Sequence, residues 1–343
     1  MSLSTSVVVP AYNAVKVLPV CLAALEHQTH RPDEIIVVDD GSSDETEHVA
    51  RRCGATVVKQ SHQGPAAARN LGIQRARGDV ILFTDADCEP LPDWVEKMIA
   101  PFSDPQVTGA KGAYRTRQQK LMARLVQMEY ERRYERMRAL PRIDFIDTYS
   151  AAYRRSVLIQ YGGFDCAYPI PSAEDIDLSF RLAVANHLLV FVPEARVWHL
   201  HPTSLKTYLT RKGQYGLWRA LAYLRHPEKT SGDAHTDPAL KSQFVLVAAA
   251  LAFFLAGVIW QPLFLVGLIP LALFEWSILP FVRWAWPRDR VVALVWSPIS
   301  FARVTVQGMG LALGLIWHGL LARQNLRPAE TVSLDGHQAH KDS

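Results

Sequence analysis

The sequence predicts an α/β domain, built on a mostly parallel sheet between helices, followed by a C-terminal region of membrane helices. Three observations carry this. Short apolar runs alternate with helical spacing through the first 85 residues. Acidic clusters fall directly after two of those runs. From Ser242 to Val282 only Glu275 is charged in 41 positions, although 20% of the 343 residues are charged overall. So uneven a distribution excludes a simple soluble protein. The charged first 240 residues, long enough to bury their own core, equally exclude a polytopic transporter. A net charge of +4 is too weak to argue for nucleic acid as a partner.

The elements follow in order. Ser6–Val9 is a β-branched run that stops at Pro10 and reads as a strand. Val17, Leu18, Leu22 and Leu25 give helical spacing within Val15–Gln28. Ile35–Val38, apolar and flanked by acids, reads as a buried parallel strand. The loop Asp39-Asp40-Gly41-Ser42-Ser43-Asp44 follows, with Ser43 or Asp44 as N-cap of a helix to Arg52. A strand at Thr56–Lys59, an Ala-rich helix at Pro65–Arg75 and a strand at Val80–Thr84 complete the βαβ series. Gln118–Leu140 reads as a long helix of mixed charge, with either a solvated face or a basic side resting on anionic lipid. Glu174 opens a helix with Ser172 as N-cap, and Leu188–Val197 is apolar strand.

In a parallel sheet, ligands bind beyond the carboxyl ends of the strands. Asp39-Asp40 and Asp85-Ala86-Asp87 both fall there and would repel unless a cation or substrate group held them. Two carboxylates at i, i+2 can chelate a hard divalent ion, Mg2+ or Mn2+, and leave room for phosphates; equally, they can form a plain acidic turn. Glu174-Asp175 complements its helix dipole or supplies a carboxylate base. His199 or His201, at the end of an apolar strand, could complete a metal shell with Asp87 or simply pack. Gly64-Pro65-Ala66-Ala67-Ala68-Arg69-Asn70 allows close approach of backbone or ligand. Neither GxGxxG nor GxxxxGK[ST] is present, so dinucleotide and P-loop chemistry lack their residues. Cys21, Cys53, Cys88 and Cys166 have no CxxC spacing and read as reduced thiols.

Together these motifs resemble the family 2 glycosyltransferases of the GT-A fold. The matching pieces are Val8-Val9-Pro10-Ala11-Tyr12-Asn13, Val37-Val38-Asp39-Asp40-Gly41-Ser42, Ala68-Arg69-Asn70, Asp85-Ala86-Asp87, Gly162-Gly163-Phe164-Asp165 and Glu174-Asp175, in the family's order over residues 4–220. The resemblance implies transfer of a sugar from a nucleotide-diphospho-sugar with inversion. It implies that Pro10, Ala11 and Tyr12 line the nucleobase and that Asp39 or Asp40 hydrogen-bonds its edge. Arg69 would approach the ribose or diphosphate, and Asp85 the ribose or sugar. Asp87 would bind the metal with His199, His201 being the close rival. Asp175 would be the general base, with Glu174 orienting the acceptor or substituting. Processive members carry Gln-x-x-Arg-Trp; here Gln214-Tyr215-Gly216-Leu217-Trp218-Arg219 departs from it, which favours a single-sugar transferase.

The expected division is a catalytic domain over 1–225, a linker over 226–243, a membrane region over 244–322 and a polar tail over 323–343. Spans are expected at Phe244–Trp260, Leu263–Val282 and Val304–Leu321, with an interfacial segment at 291–302 and a close-packing face at Gly308, Gly310 and Gly314. Glu275, Pro270 and Pro280 require neighbouring protein to satisfy them. Basic residues flank both ends of 242–282, and the N-terminus lacks a secretory pattern. The expectation is a multi-pass cell-membrane protein with a cytoplasmic catalytic domain, whose partners are the nucleotide-sugar donor, membrane lipids and a lipid-linked or membrane-proximal acceptor.

Overall fold

The computed structural model describes residues 3–168 and 173–321. They form two compact units, one α/β and one helical. The α/β unit takes residues up to Arg117 and Arg136–Leu200. The helical unit takes Gln118–Glu135 and the chain from His201. This division corrects the expected boundary at 225, because the helix Leu205–Arg225 and the mixed-charge helix as far as Glu135 belong to the helical unit.

The α/β unit begins as the sequence predicts. Strands β1 (Thr5–Ala11), β2 (Glu34–Asp39), β3 (Thr56–Lys59) and β4 (Val80–Phe83) alternate with helices α1 (Leu18–Glu26), α2 (Thr46–Arg52) and α3 (Pro65–Arg75). Strands β1–β4 pair in parallel, in the order β3-β2-β1-β4. Val7, Val8, Val9, Val37, Val38, Ile81 and Leu82 are fully enclosed, as strands covered on both faces must be. The rest of the sheet is mixed. It adds β5 (Glu89–Pro90), β6 (Val107–Arg115), β7 (Ala151–Arg154) and β8 (Leu188–Trp198) in the order β4-β7-β6-β8-β5. Here β7 runs antiparallel to β4 and β6, while β6 and β8 are parallel. Helices α4 (Trp94–Ile99), α6 (Arg155–Gln160) and α7 (Glu174–Val184) complete the unit, while α5 (Leu121–Arg138) belongs to the helical unit as far as Glu135.

Two N-caps differ from expectation. Helix α2 is capped at Glu45 rather than Ser43 or Asp44, and Asp44 Oδ1 instead accepts from the Thr46 amide at 3.1 Å. The N-cap of α7 is Ala173; Ser172 lies outside the described residues.

The helical unit contains α5, α8 (Leu205–Arg225), α9 (Leu240–Gly257), α10 (Pro262–Ala285) and α11 (Arg290–Ile316), the last continued by a π-turn to Leu321. Three of these are long and apolar enough to cross a membrane: Leu240–Gly257, Pro262–Ala285 and Arg290–Leu321. Residues 290–321 make one continuous helix. This corrects the expected interfacial segment at 291–302 with a separate span from 304. Asp289 caps the helix by accepting from the Val292 amide, and the helix runs through both Pro298 and Arg303. Val245, Leu255, Leu265, Trp276 and Leu294 are exposed, so these helices display apolar surface outward rather than burying it. Ser297 Oγ donates to Glu275 Oε1 at 2.7 Å, which supplies the partner an acid on such a helix needs. The expected close-packing face exists but is shared: Gly310 and Gly314 meet the backbone of α8 at Gly213 and Leu217, whereas Gly308 meets Phe244 of α9. The departed Gln214–Arg219 segment lies on α8, where Gly216 packs on the Gln307 carbonyl and Arg219 pairs with Asp233. The expected polar tail, 323–343, lies outside the described residues.

Candidate active site

Because β1, β2 and β4 are parallel, their carboxyl ends share one edge, with Ala11 opposite Asp39 and Val8 opposite Phe83. Tyr12, Asp39-Asp40 and Asp85-Ala86-Asp87 therefore emerge together. Pro10 and Ala11 end β1, and Tyr12, half exposed, stacks on His62 with ring centroids 4.2 Å apart.

The two neighbouring acids do different work. Asp40 is buried and spent on structure. It accepts from Gln60 Nε2 at 2.7 Å, from the Gln63 amide at 2.9 Å and from the Gly64 amide at 2.9 Å. His62 Nδ1 lies 3.0 Å from its Oδ2. The 60–64 loop is thereby tied to the end of β2. Gly41 turns between them at φ +76°, where a Cβ would lie 2.7 Å from the His62 nitrogen. Asp39 is equally buried, yet only its Oδ1 is occupied, accepting from the Ser42 amide at 2.9 Å. Its Oδ2 is buried with no hydrogen-bond partner. A buried carboxylate oxygen left open is costly without a ligand donor, so Asp39 rather than Asp40 offers an acceptor to a ligand.

Arg69 does not point to open space as a diphosphate ligand would. Its side chain is only 4% exposed, and its guanidinium forks to Asp85 Oδ1 at 3.0 Å and Glu174 Oε1 at 2.9 Å. Glu174 is 3% exposed. Arg69 thus clamps the Asp-x-Asp loop to the start of α7. Asn70, next on α3, fastens a second loop. Its amide donates to the Phe164 carbonyl at 2.7 Å and accepts from the Phe164 amide at 2.8 Å. Gly163 sits at φ +66°, and a Cβ there would collide with the Asn70 side-chain oxygen. The Ala-Arg-Asn and Gly-Gly-Phe-Asp motifs are two halves of one joint.

Asp175 follows Glu174 and accepts from the Ile176 amide at 2.8 Å. Burial, then the adjacent Glu174 charge, push its carboxyl up to about 7, against the pull of Arg69 and Lys111. Such a group is poised to exchange a proton near neutrality.

Asp87, Cys88 and His199 bring one potential ligand atom each within 4.8 Å of the others. His199 Nε2 is 3.7 Å from Asp87 Oδ2, and its ring stacks on Tyr114. Carboxylate and imidazole suit Mg2+ or Mn2+ that keeps further positions for water and phosphate. Burial, together with Asp85 and Asp87, pushes the Cys88 thiol well up, so it stays protonated and makes a poor ligand for a hard ion. His201 belongs to the helical unit, where its Nε2 lies 2.9 Å from Gln127 Oε1 and its ring stacks on Tyr130. All four cysteines are free.

Pattern reading missed one cluster. Lys111 on β6 is fully buried. It pairs with Asp147, and its ammonium is 3.2 Å from the Tyr149 hydroxyl. Tyr149 stacks on Tyr114, which stacks on His199. A lysine inside the small, apolar run Val107–Arg115 was the available signal.

Comparison with known proteins agrees with this geometry. Residues 6–162 match the family described as Glycosyl transferase family 2. Over 215 residues the chain is 34% identical to a pre-mycofactocin glycosyltransferase of Mycobacterium tuberculosis, covering 57% of this chain and 44% of that protein. A Haloferax volcanii glycosyltransferase, AglE, is 35% identical over 106 residues, 29% of this chain and 35% of that one. The chain thus spans less than half the length of these curated relatives. A solved mannosyltransferase from Pyrobaculum calidifontis, in complex with GDP-Man and Mn2+, has the same fold, with a TM-score of 0.60 at 18% identity over 91% of this chain and 88% of that one. Residues 6–162 thus carry the match to glycosyl transferase family 2, and the fold is the GT-A fold of the solved transferase.

Proposed function

We propose that the α/β unit transfers one sugar from a nucleotide-diphospho-sugar to an acceptor hydroxyl, with inversion at the anomeric carbon. The observation that carries this reading is the Arg69 clamp, which joins the Asp-x-Asp loop to Glu174 and so brings Asp175 to the donor side. Tyr12 stacks the nucleobase, and Asp39 Oδ2 accepts from its edge. Asp87 and His199 would hold a divalent ion, which supplies charge stabilisation to the departing diphosphate. Asp85 is turned toward the sugar or ribose, and Arg69 fixes its direction.

Inversion needs one displacement. The acceptor oxygen forms the new bond to the anomeric carbon while that carbon's bond to the diphosphate oxygen breaks. The acceptor proton passes to Asp175, and the nucleoside diphosphate leaves with the bonding electrons. Asp175 must be ionised to take that proton, and a carboxyl near 7 is ionised in useful fraction while being a stronger base than an exposed one. Glu174 is fixed by Arg69 and serves as a positioning residue.

The acceptor in this reading is lipid-linked or membrane-proximal, in polysaccharide or glycolipid assembly. Three apolar helices on the same chain support it, as do basic residues on both flanks of the first two, which favour a cytoplasmic catalytic unit. The test is release of nucleoside diphosphate by the detergent-purified chain with Mn2+ across a panel of sugar donors, with membrane lipid extract as acceptor source. Release that is lost in Asp175→Asn and in Asp87→Ala supports the assignment. No release from any donor, or full release by Asp175→Asn, overturns it.

A further inference from the structure

The helical unit contains a charge cluster that sugar transfer does not use. Glu129 stands on α5, Lys212 on α8 and Arg303 on α11. Lys212 Nζ lies 3.1 Å from Glu129 Oε2, and Arg303 Nη1 donates to Glu129 Oε1 at 3.0 Å. None of the three side chains is more than 17% exposed. Arg133 is one turn further along α5, on the same face as Glu129, with its guanidinium 4.8 Å over the Tyr130 ring. Its charge acts on both Glu129 and Lys212. One carboxylate therefore answers three cations.

The hydrogen-bond inventory leaves three donors open against one acceptor, Glu129 Oε2, which lies 3.1 Å from Lys212 Nζ. Arg133 Nε and Nη1 and Arg303 Nε are buried without an acceptor. Buried donors of this kind are rare because each forfeits its hydration. Arg303 also lies in a helix apolar enough to cross a membrane, where an ionised side chain needs a partner. Burial pulls Lys212 down to about 8, and the two guanidiniums add to this against the pull of Glu129. Every one of these costs is relieved by a second anion.

We propose that Arg133, Lys212 and Arg303 bind the phosphate group of an anionic ligand, carried either by a membrane lipid or by a free phosphate. Phosphate oxygens can accept from the open Nε and Nη1 of Arg133, and the remaining charge lies among Lys212 and Arg303. The site is separate from the donor residues, which belong to the α/β unit, and does not depend on the transfer reading.

The test uses the delipidated full chain in neutral detergent. Native mass spectrometry measures binding of phosphatidylglycerol against a diacylglycerol of the same chains. A thermal melt measures inorganic phosphate against chloride at equal ionic strength. Phosphatidylglycerol should bind, diacylglycerol should not, and Arg133→Gln should weaken the anion roughly tenfold or more, the loss of a charge-assisted hydrogen bond. Arg132→Gln, on the half-exposed neighbour paired with Glu135, should leave binding unchanged. Glu129→Gln removes the competing carboxylate and should strengthen binding, an effect that misfolding cannot imitate. Stabilisation by inorganic phosphate, lost in Arg133→Gln, identifies a soluble source; lipid binding alone identifies a headgroup. Equal lipid and phosphate binding by wild type and Arg133→Gln overturns the proposal, as does weaker binding by a Glu129→Gln chain that melts as wild type. No preference for phosphatidylglycerol over diacylglycerol, with no effect of phosphate, overturns it as well.

Discussion

Arg69 is the most informative residue to perturb, because its two bonds join parts of the α/β unit that are distant in sequence. In Arg69→Met the side chain keeps its length and loses its charge. Glu174, 3% exposed and 2.9 Å from the guanidinium, then loses this charged partner while it stays buried. Breaking such a pair from one side costs about 3–5 kcal/mol. The bond to Asp85 adds little, because Asp85 is 31% exposed and water screens it. For a unit of this size each kcal/mol shifts the melting temperature by about 2–4 °C, so the expected drop is roughly 6–20 °C. Tryptophan fluorescence of the detergent-solubilised chain reports it, since Trp94 is buried in this unit and donates to Ser150 Oγ at 2.8 Å. The double variant Arg69→Met/Glu174→Gln removes both charges and should recover much of the loss. A single variant that melts within about 2 °C of wild type, or a double variant less stable than the single, would refute the clamp.

The remaining expectations concern pH, the donor pocket and the helices. Transfer should fall as pH drops below about 7, as Asp175 is protonated; Glu174→Gln removes the second largest cause of that shift and should move the acid limb of the rate profile to lower pH. The raised carboxyl also means that the fold holds this proton more tightly than the unfolded chain, whose ordinary value is 3.8. Asp175 therefore lends stability below about pH 4 that is lost as pH rises through about 7, and Asp175→Asn should abolish that slope in pH-dependent melts. Asp39→Ala should raise the donor KM by roughly tenfold with little change in melting, whereas Asp40→Ala should lower the melting temperature by releasing the 60–64 loop. Gly314→Leu should prevent α11 from packing on α8 at Leu217, seen as loss of folded protein on size-exclusion chromatography, while a leucine at exposed Met309 should be tolerated.

Much of the α/β unit was legible locally. Strands β1 to β4 and helices α1 to α3 follow from apolar runs and turn residues, and their parallel pairing follows from the alternation itself. The second half was less legible because its pairing is non-local. The strand β7 lies between β4 and β6 and runs antiparallel to both, and no periodicity within Ala151–Arg154 announces that. The break expected near Arg303 had a similar cause: a charge in an apolar run reads as an end until a partner such as Glu129 is brought to it.

The sequence by itself determined the residue types at the sheet edge, the order of the motifs and the three apolar stretches, since each depends on neighbours within one strand or one helix. Only the tertiary structure decided how the like residues divide their work. Asp39 and Asp40 are adjacent and chemically identical, yet one has every lone pair directed at the 60–64 loop and the other keeps a buried oxygen open. Arg69, which resemblance assigned to the donor, is held by two carboxylates, one of them 105 residues away. His199 and His201 stand two residues apart just past the end of β8, yet one lies near Asp87 and the other at Gln127. Burial and hydrogen-bond satisfaction are properties of the packed chain, and they separate residues that composition and spacing leave equivalent.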